Sequence, residues 1–435
     1  MSGRLSIWAR AGEIADRTPP SRNRLVDFLR AASILLVISG HWLLTAPYMP
    51  AGELELGNML ELTDVTRWLS WGFQVMPVFF LVGGYANAAS WGAALRDGKP
   101  FSAWLDSRLR RLLLPVLPLI AVWAVLAPAG RMLGLDASLL QEASTIALVP
   151  IWFLAIYTVI ILFVPLTYAW WQRWGFWSFT VPVVLAVLGD ALFFAGWEVA
   201  GWFNYLFIWI AVHQLGYAWM DDRVSSRPLR FVWGLLGFGA LVGLTVTGPY
   251  PISMISVPGT EISNTLPPKL PLLALAIAQA GFVLALESPA RRWLQRRTPW
   301  TAAVLLNGMI MTIYLWHSTA MILIIGIAAS LGGVGMGIEP TTGLWWASRP
   351  IWLAIYAVAL AAMMPVVARF ERLRSPEAHA PAGRQVTGAI VACFGLAMLA
   401  YLGLGGEVAL GLQIAAVATP FAGALLGGLL LTRRS

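Results

Sequence analysis

Residues 25–44 read LVDFLRAASILLVISGHWLL. The run is apolar and long enough to cross a bilayer, which takes about 20 helical residues. It also holds three ionisable side chains, Asp27, Arg30 and His41. At about 100° per residue, the step from Arg30 to His41 is three turns plus roughly 20°, so both share one helix face. Asp27, one turn before Arg30, falls within about 40° of that face. Ionisable groups on one stripe of a membrane helix are costly and by default mark function.

The rest of the chain repeats the apolar theme. Its 435 residues are 59% hydrophobic and 11% charged, where a soluble domain carries about a quarter charged residues. The mean hydropathy is +0.73. The fold class expected is all-α, a polytopic membrane helix bundle of about twelve spans. They are read at 26–46, 72–93, 112–129, 145–166, 178–196, 203–220, 231–248, 271–288, 302–328, 350–369, 387–404 and 408–431.

The net charge of +8 has a topological explanation. All Lys and Arg fall in the N-terminal segment and every second connection, except Arg67, Arg131, Lys269 and Arg349. The positive-inside rule then places both termini in the cytoplasm, in a cell inner (plasma) membrane protein. A missed span would scramble this alternation, so it also supports an even count. No nucleic-acid partner is expected, and membrane lipid is. The first span is too long and too polar along its stripe for a signal-peptide core, and it is expected to be retained.

Two outward connections are longer than the rest, 47–71 with four acidic residues and 249–270 with many Pro and Ser. Either could shape an external site or be a solvated loop. Gly333, Gly335 and Gly337 mimic a dinucleotide loop but follow no strand, and read as a flexible connection. Gly239/Gly243 and Gly423/Gly427 have the small-xxx-small spacing that lets helices pack closely. Many of the 23 Trp flank spans as interfacial belts. No metal-ligand spacing appears, so no metal is expected. The single cysteine, Cys393, excludes an intramolecular disulfide and reads as a small buried apolar residue.

Imidazole is the natural general base for a hydroxyl at neutral pH, which makes His41 the first candidate. Arg30, near the cytoplasmic border, suits a phosphate clamp, a partner for Asp27, or simple snorkelling. The segment SRLRRLLLP, residues 107–115, puts Arg108 and Arg111 three apart at a cytoplasmic entrance. They can face one anion together or serve as a topological anchor. His317, ending TIYLWH, is a second imidazole inside a span, a site residue or polar glue between helices. His213 and Asp190 are weaker candidates, and His379, in a polar connection, is assigned no role.

These residues, in this order, resemble the acyltransferase-3 family of integral membrane acyltransferases. The family opens with Arg, ten residues, then His on its first membrane helix, here Arg30 to His41 with Asp27 ahead. Its P-x-F-F-x-x-S-G-F/Y run is similar to PVFFLVGGY, residues 77–85. Its basic R-x-x-R-x-x-x-P entrance matches Arg108, Arg111 and Pro115. A W-F-L segment matches Trp152–Leu154, and Y-L-x-H matches Tyr314–His317. The likeness covers roughly residues 24–370. Gly83 stands where the family usually has Ser, so any role of that hydroxyl is lost or moved.

The resemblance implies a ten-helix acyltransferase core with an added C-terminal hairpin. The corresponding division is a basic N-terminal segment at 1–24, the membrane domain at 25–370, a linker at 371–386, and a hairpin with a short tail at 387–435. The hairpin could sit at the edge or make an oligomer contact, and the oligomeric state stays open. The implied activity is transfer of an acyl group, most often acetyl from acetyl-CoA, to a hydroxyl of an envelope carbohydrate, glycolipid or similar acceptor. His41, Asp27 and Arg30 would be catalytic. Arg30, Arg108 and Arg111 would hold the acyl-CoA, and Tyr85, Trp152 and His317 would line the substrate. A secondary transporter is the alternative, since twelve spans with cytoplasmic termini is a common transporter layout.

Overall fold

A computed structural model describes residues 6–19, 22–224, 226–369, 379–406 and 408–430. Residues 371–378 of the linker expected at 371–386, and the terminal stretches 1–5 and 431–435, lie outside the described residues. In chain order, α1 (Ile7–Asp16) precedes α2 (Arg24–Leu44), which carries the opening stripe. Two short strands, β1 (Thr45–Tyr48) and β2 (Glu55–Asn58), pair with each other. Next come α3 (Met59–Leu62), α4 (Asp64–Phe73), α5 (Met76–Arg96), α6 (Phe101–Leu113) and α7 (Val116–Met132). They are followed by α8 (Ala137–Leu162), α9 (Val164–Trp174), α10 (Phe176–Phe194), α11 (Glu198–Trp202) and α12 (Asn204–Met220). Then come α13 (Arg227–Val242), α14 (Leu270–Ala285), α15 (Glu287–Leu294) and α16 (Arg297–Ser330). The chain closes with α17 (Gly343–Val367), α18 (Ala382–Leu402) and α19 (Leu410–Leu426).

The protein is a polytopic helical membrane bundle. Each of the twelve expected segments overlaps a helix. Nine spans among the described residues are long and apolar enough to cross a membrane, counting α4–α5 and α6–α7 as single spans. The pair α14–α15, bent by 56°, makes a tenth. The remaining two, α12 and α19, have 17 residues each, about 25 Å of helix at the short end of what a bilayer core needs. Ten of the twelve expected spans are thus long and apolar enough, among the described residues, to cross a membrane. Boundaries also move: α8 starts eight residues before the expected 145. Asp136 caps it, accepting from the N–H groups of Ser138 at 2.8 Å and Leu139 at 3.1 Å. Hydrogen bonds from the Ser138 hydroxyl and these amides hold the Asp136 carboxyl below its ordinary pKa.

Two compact units make up the chain. The first comprises Met1–Gly40, Gly57–Ser90 and Val164–Ile310, the second His41–Leu56, Trp91–Phe163 and Met311–Ser435. In the first unit, helix crossings are set by small residues. A Cβ on Gly84 would overlap the His213 carbonyl, so α5 and α12 meet backbone to backbone. Helices α13 and α14 meet likewise, with Gly234 and Gly237 against Ala278 and Gly281. Here the expectation for Gly239 and Gly243 fails, because both face open space. The buried stripe of α13 runs through Arg230, Gly234, Gly237 and Leu241. Gly239, two positions on from Gly237, points roughly 200° away from it. Phe231, Leu235, Leu236 and Phe238 are exposed on the remaining faces, as lipid-facing side chains must be.

In the second unit, α18 and α19 form the C-terminal hairpin. Its crossing does use the expected glycines: Gly423 and Gly427 lie against Gly388, and Gly423 also against Ala392. The hairpin packs on α8, α6 and α7 of the same unit. Ser144 on α8 donates to the Leu404 carbonyl at 2.6 Å, and Gln141 accepts from the Gly406 N–H at 2.8 Å.

Candidate functional site

The amino-terminal end of α2 belongs to the first unit. Asn23 accepts from the Leu25 N–H at 3.2 Å, and Arg24 donates to the Leu294 carbonyl at 2.9 Å. Asp27 is buried and receives a forked contact from Arg22, Nε at 2.6 Å and Nη2 at 3.1 Å. That hydrogen bond holds the Arg22 guanidinium above its ordinary pKa. Asn307 donates to the Asp27 carbonyl at 2.9 Å. Arg30 approaches Asp27 less closely, at 3.5 Å, and its side chain stays 30% exposed. A partner for Asp27 is one of the three roles the sequence allows for Arg30. The nearer partner is Arg22, five residues upstream, which leaves Arg30 more loosely held. The only signal in the sequence was a basic residue just ahead of the helix start.

His41 lies in the last turn of α2 and belongs to the second unit. Its Nδ1 is 2.9 Å from Nε2 of His317, 276 residues away. The rings stack, with centroids 5.1 Å apart and planes at 25°. His317 is fully buried and His41 half-buried. On its other side, His317 Nδ1 sits 2.6 Å from the Tyr314 carbonyl. A carbonyl can only accept, so that nitrogen carries a proton. In a neutral pair, Nε2 of His317 is then the acceptor, and His41 must donate to it through Nδ1. This leaves Nε2 of His41 with a bare lone pair. The Ser318 hydroxyl, 3.1 Å from the same Nε2 of His317, is a second donor to it.

The pair is fixed by its surroundings. The Trp42 indole donates to the His317 carbonyl at 3.1 Å. Tyr314 donates to the Pro150 carbonyl of α8 at 2.9 Å, and Trp123 of α7 donates to Thr319 at 3.0 Å. The W-F-L and Y-L-x-H segments, far apart in sequence, therefore meet at Tyr314, Pro150 and Phe153. Trp152 itself is half-buried beside Phe153. Thr45 donates to the His41 carbonyl at 3.1 Å, closing α2. A positive charge developing on His41 would face the carbonyl end of that helix, a favourable setting.

The basic entrance on α6 is divided among three roles. Arg111 is exposed. Arg108 is half-buried, its guanidinium 5.6 Å from the Trp104 ring. Arg110, to which the sequence assigns no site role, is buried. It binds Asp106 at 2.8 Å and donates to the carbonyls of Leu429 at 2.6 Å and Gly428 at 3.1 Å. His379, expected to be without a role, lies 3.3 Å from Asp106. The Asp106–Arg110 spacing of four was a legible signal for a helix pair. Its use as an anchor for the hairpin was not.

The other candidates resolve as follows. Tyr85 packs on Trp219, with centroids 4.7 Å apart. His213 contacts Asn87 at 3.1 Å. Asp190 accepts from Asn204, Tyr250 and the Leu270 N–H, all at 2.8–2.9 Å, so it anchors a loop. Burial raises the pKa of Tyr250 and lowers that of Lys269. The two long connections do build a recess in the first unit, about 390 Å³, lined by Asp64, Arg67, Trp68, Ile252 and Thr260 among others. Trp71 donates to the Ile252 carbonyl at 2.7 Å and holds its wall. No group of three or more His, Cys, Asp or Glu that could hold a metal comes together among the described residues.

Fold and site define a helical membrane protein with an imidazole pair inside its bundle. The family model for Acyl_transf_3, described as an acyltransferase domain, matches residues 23–368. The chain belongs to this family, and it is a membrane acyltransferase. No curated protein and no solved structure matches it.

Proposed function

We propose that the protein transfers an acyl group, acetyl in the first instance, from cytoplasmic acyl-CoA to a hydroxyl of an envelope carbohydrate, glycolipid or similar acceptor. The observation that carries this reading is the His41–His317 pair, which leaves His41 Nε2 as an oriented base. In the transfer, the acceptor O–H gives its proton to His41 Nε2 while its oxygen attacks the thioester carbonyl. The C–S bond breaks, and the departing thiolate takes the proton back from the imidazolium. An acyl-His41 intermediate is the main variant: Nε2 attacks the thioester and the C–S bond breaks to expel the CoA thiolate, then the acceptor oxygen attacks the acyl carbon, the C–N bond to His41 breaks and the hydroxyl proton passes to the thiolate. The termini face the cytoplasm of an inner membrane, and Arg30, Arg108 and Arg111 meet the polyanionic donor on that side.

The test is incubation of purified protein in lipid with radiolabelled acetyl-CoA and envelope extract. His41-dependent labelling of an acceptor is expected. Substrate flux without covalent label would replace transfer with transport. For the donor side, Arg111→Ala is expected to raise the KM for the CoA donor with kcat little changed. Unchanged donor kinetics would return this residue to a topological role.

His317 is a positioning residue in this scheme. His317→Ala should lower kcat by about tenfold to a hundredfold and shift its pH profile, because His41 can then protonate either nitrogen. His317→Gln, which keeps an acceptor oxygen, should recover part of the loss. Equal activity of the alanine variant and wild type, with superimposable pH profiles, would remove His317 from the mechanism.

A further inference from the structure

Arg349 departs from the charge pattern of the chain. It is one of only four basic residues in the outward set, and it lies seven residues into α17. Its residue exposure is 3%. The guanidinium lies 4.1 Å from the Trp345 ring centroid and 5.6 Å from that of Trp352. Nε donates to the Trp345 carbonyl at 3.3 Å and Nη2 to the Ser348 hydroxyl at 3.1 Å. Nη1 has no hydrogen-bond partner among the described residues. None of their ion pairs includes Arg349.

Two further buried donors on α17 share this condition. The Trp345 indole N–H and the Tyr356 hydroxyl have no partner among the described residues, and both residues are fully buried. Positions 345, 349 and 356 are four and seven apart, so they stand on one helix face. A buried donor left unpaired keeps the full penalty of its lost hydration. The aromatic rings account for the cation but not for the donors: a ring face attracts the charge without accepting the outstanding N–H. A buried cation in a membrane segment ordinarily has a partner, so this one waits for a partner from outside the chain.

The cluster adjoins the imidazole pair. Trp42, which donates to the His317 carbonyl, has its ring centroid 5.6 Å from that of Tyr356. On the other flank, the glycine loop lies against Trp352, where a Cβ on Gly335 would come within 3.1 Å of the ring. Gly335 also has a left-handed φ of 77°, so a side chain is disfavoured there on both counts. The glycine run thus serves close backbone approach beside the Arg349 cluster. The ligand chemistry follows from the donors. Arginine and indole can only donate, and the tyrosine hydroxyl is available to do so. Their complement is an acceptor-rich anion.

We propose that Arg349, Tyr356 and Trp345 form a binding site for a carboxylate or phosphate group carried by the acyl acceptor. The identification of the anion with the acceptor rests on the acyl-transfer reading above, whereas anion binding does not. The test therefore omits the donor. Full-length protein in neutral detergent micelles is titrated calorimetrically with glucose, glucuronate and glucose 6-phosphate. Either or both anions should bind at least about tenfold more tightly than glucose, as a charge-assisted hydrogen bond implies. Arg349→Gln should reduce that preference to near unity, and Tyr356→Phe and Trp345→Phe should each weaken it severalfold. Equal affinity for all three ligands, or an anion preference that survives Arg349→Gln, would overturn the site. If Arg349→Gln does not fold, the two conservative variants decide, and an unaltered preference in both overturns it. A parallel arm uses nanodiscs of phosphatidylcholine with and without phosphatidylglycerol. Loss of sugar-anion binding in phosphatidylglycerol would assign the site to a lipid headgroup and overturn the acceptor assignment. A protein that binds these anions but labels no acceptor would retain this site and lose the proposed transfer.

Discussion

His41→Ala is expected to lower acyl transfer by about 10²–10⁴-fold while the protein inserts and elutes as wild type. Two features make the loss large. The Nε2 lone pair of His41 is oriented by a relay that ends on the Tyr314 carbonyl, and alanine carries no base to replace it. His317 cannot substitute, because it is fully buried, its Nδ1 donates to the Tyr314 carbonyl and the Ser318 hydroxyl donates to its Nε2. The structural consequence should be small, since His41 is only half-buried and its backbone carbonyl, not its ring, holds the helix end. The measurement is single-turnover transfer of labelled acetyl with purified protein in lipid. Transfer at the wild-type rate would sink both the base and the acyl-histidine variants.

Asp106→Ala should be the most damaging of the structural substitutions. It leaves Arg110 buried without its carboxylate, at a cost of about 3–5 kcal/mol. Arg110 also holds the Leu429 and Gly428 carbonyls at the end of the hairpin, so its displacement should loosen α19 first. Thermal unfolding in micelles should show a clear drop in midpoint, and protease cleavage near the C-terminus should appear below it. Asp106→Ala combined with Arg110→Met should be less damaging than Asp106→Ala alone, because the second change removes the stranded charge. An unchanged midpoint in the single variant would mean that the pair is not coupled to stability.

The contrast between these two sites shows what one chain position can disclose. His41 was legible because an imidazole stands out in an apolar run, and helix periodicity ties it to Arg30. Arg110 was hidden among neighbouring arginines, and only the folded hairpin distinguishes it from Arg108 and Arg111. The same holds for glycines. Gly239/Gly243 and Gly423/Gly427 have identical spacing, yet only the second pair lies at a crossing, because spacing does not say which face of a helix is buried. Asp27 was legible as a charge on the stripe, but its nearer partner, Arg22, sits outside the helix where periodicity has no force.

The membrane helices, the common face of Asp27, Arg30 and His41, and the family are all legible in the residues alone. These follow from local physics: apolar length against bilayer thickness, and 3.6 residues per turn. Folding alone settles that His41 meets His317 across 276 residues, that Arg110 holds the Gly428 and Leu429 carbonyls of the hairpin, and that Arg349 is buried with no carboxylate partner among the described residues. Such pairings depend on which helix faces pack together. That choice is made by side-chain shape within each unit, where glycines such as Gly84, Gly281 and Gly423 let backbones approach closely.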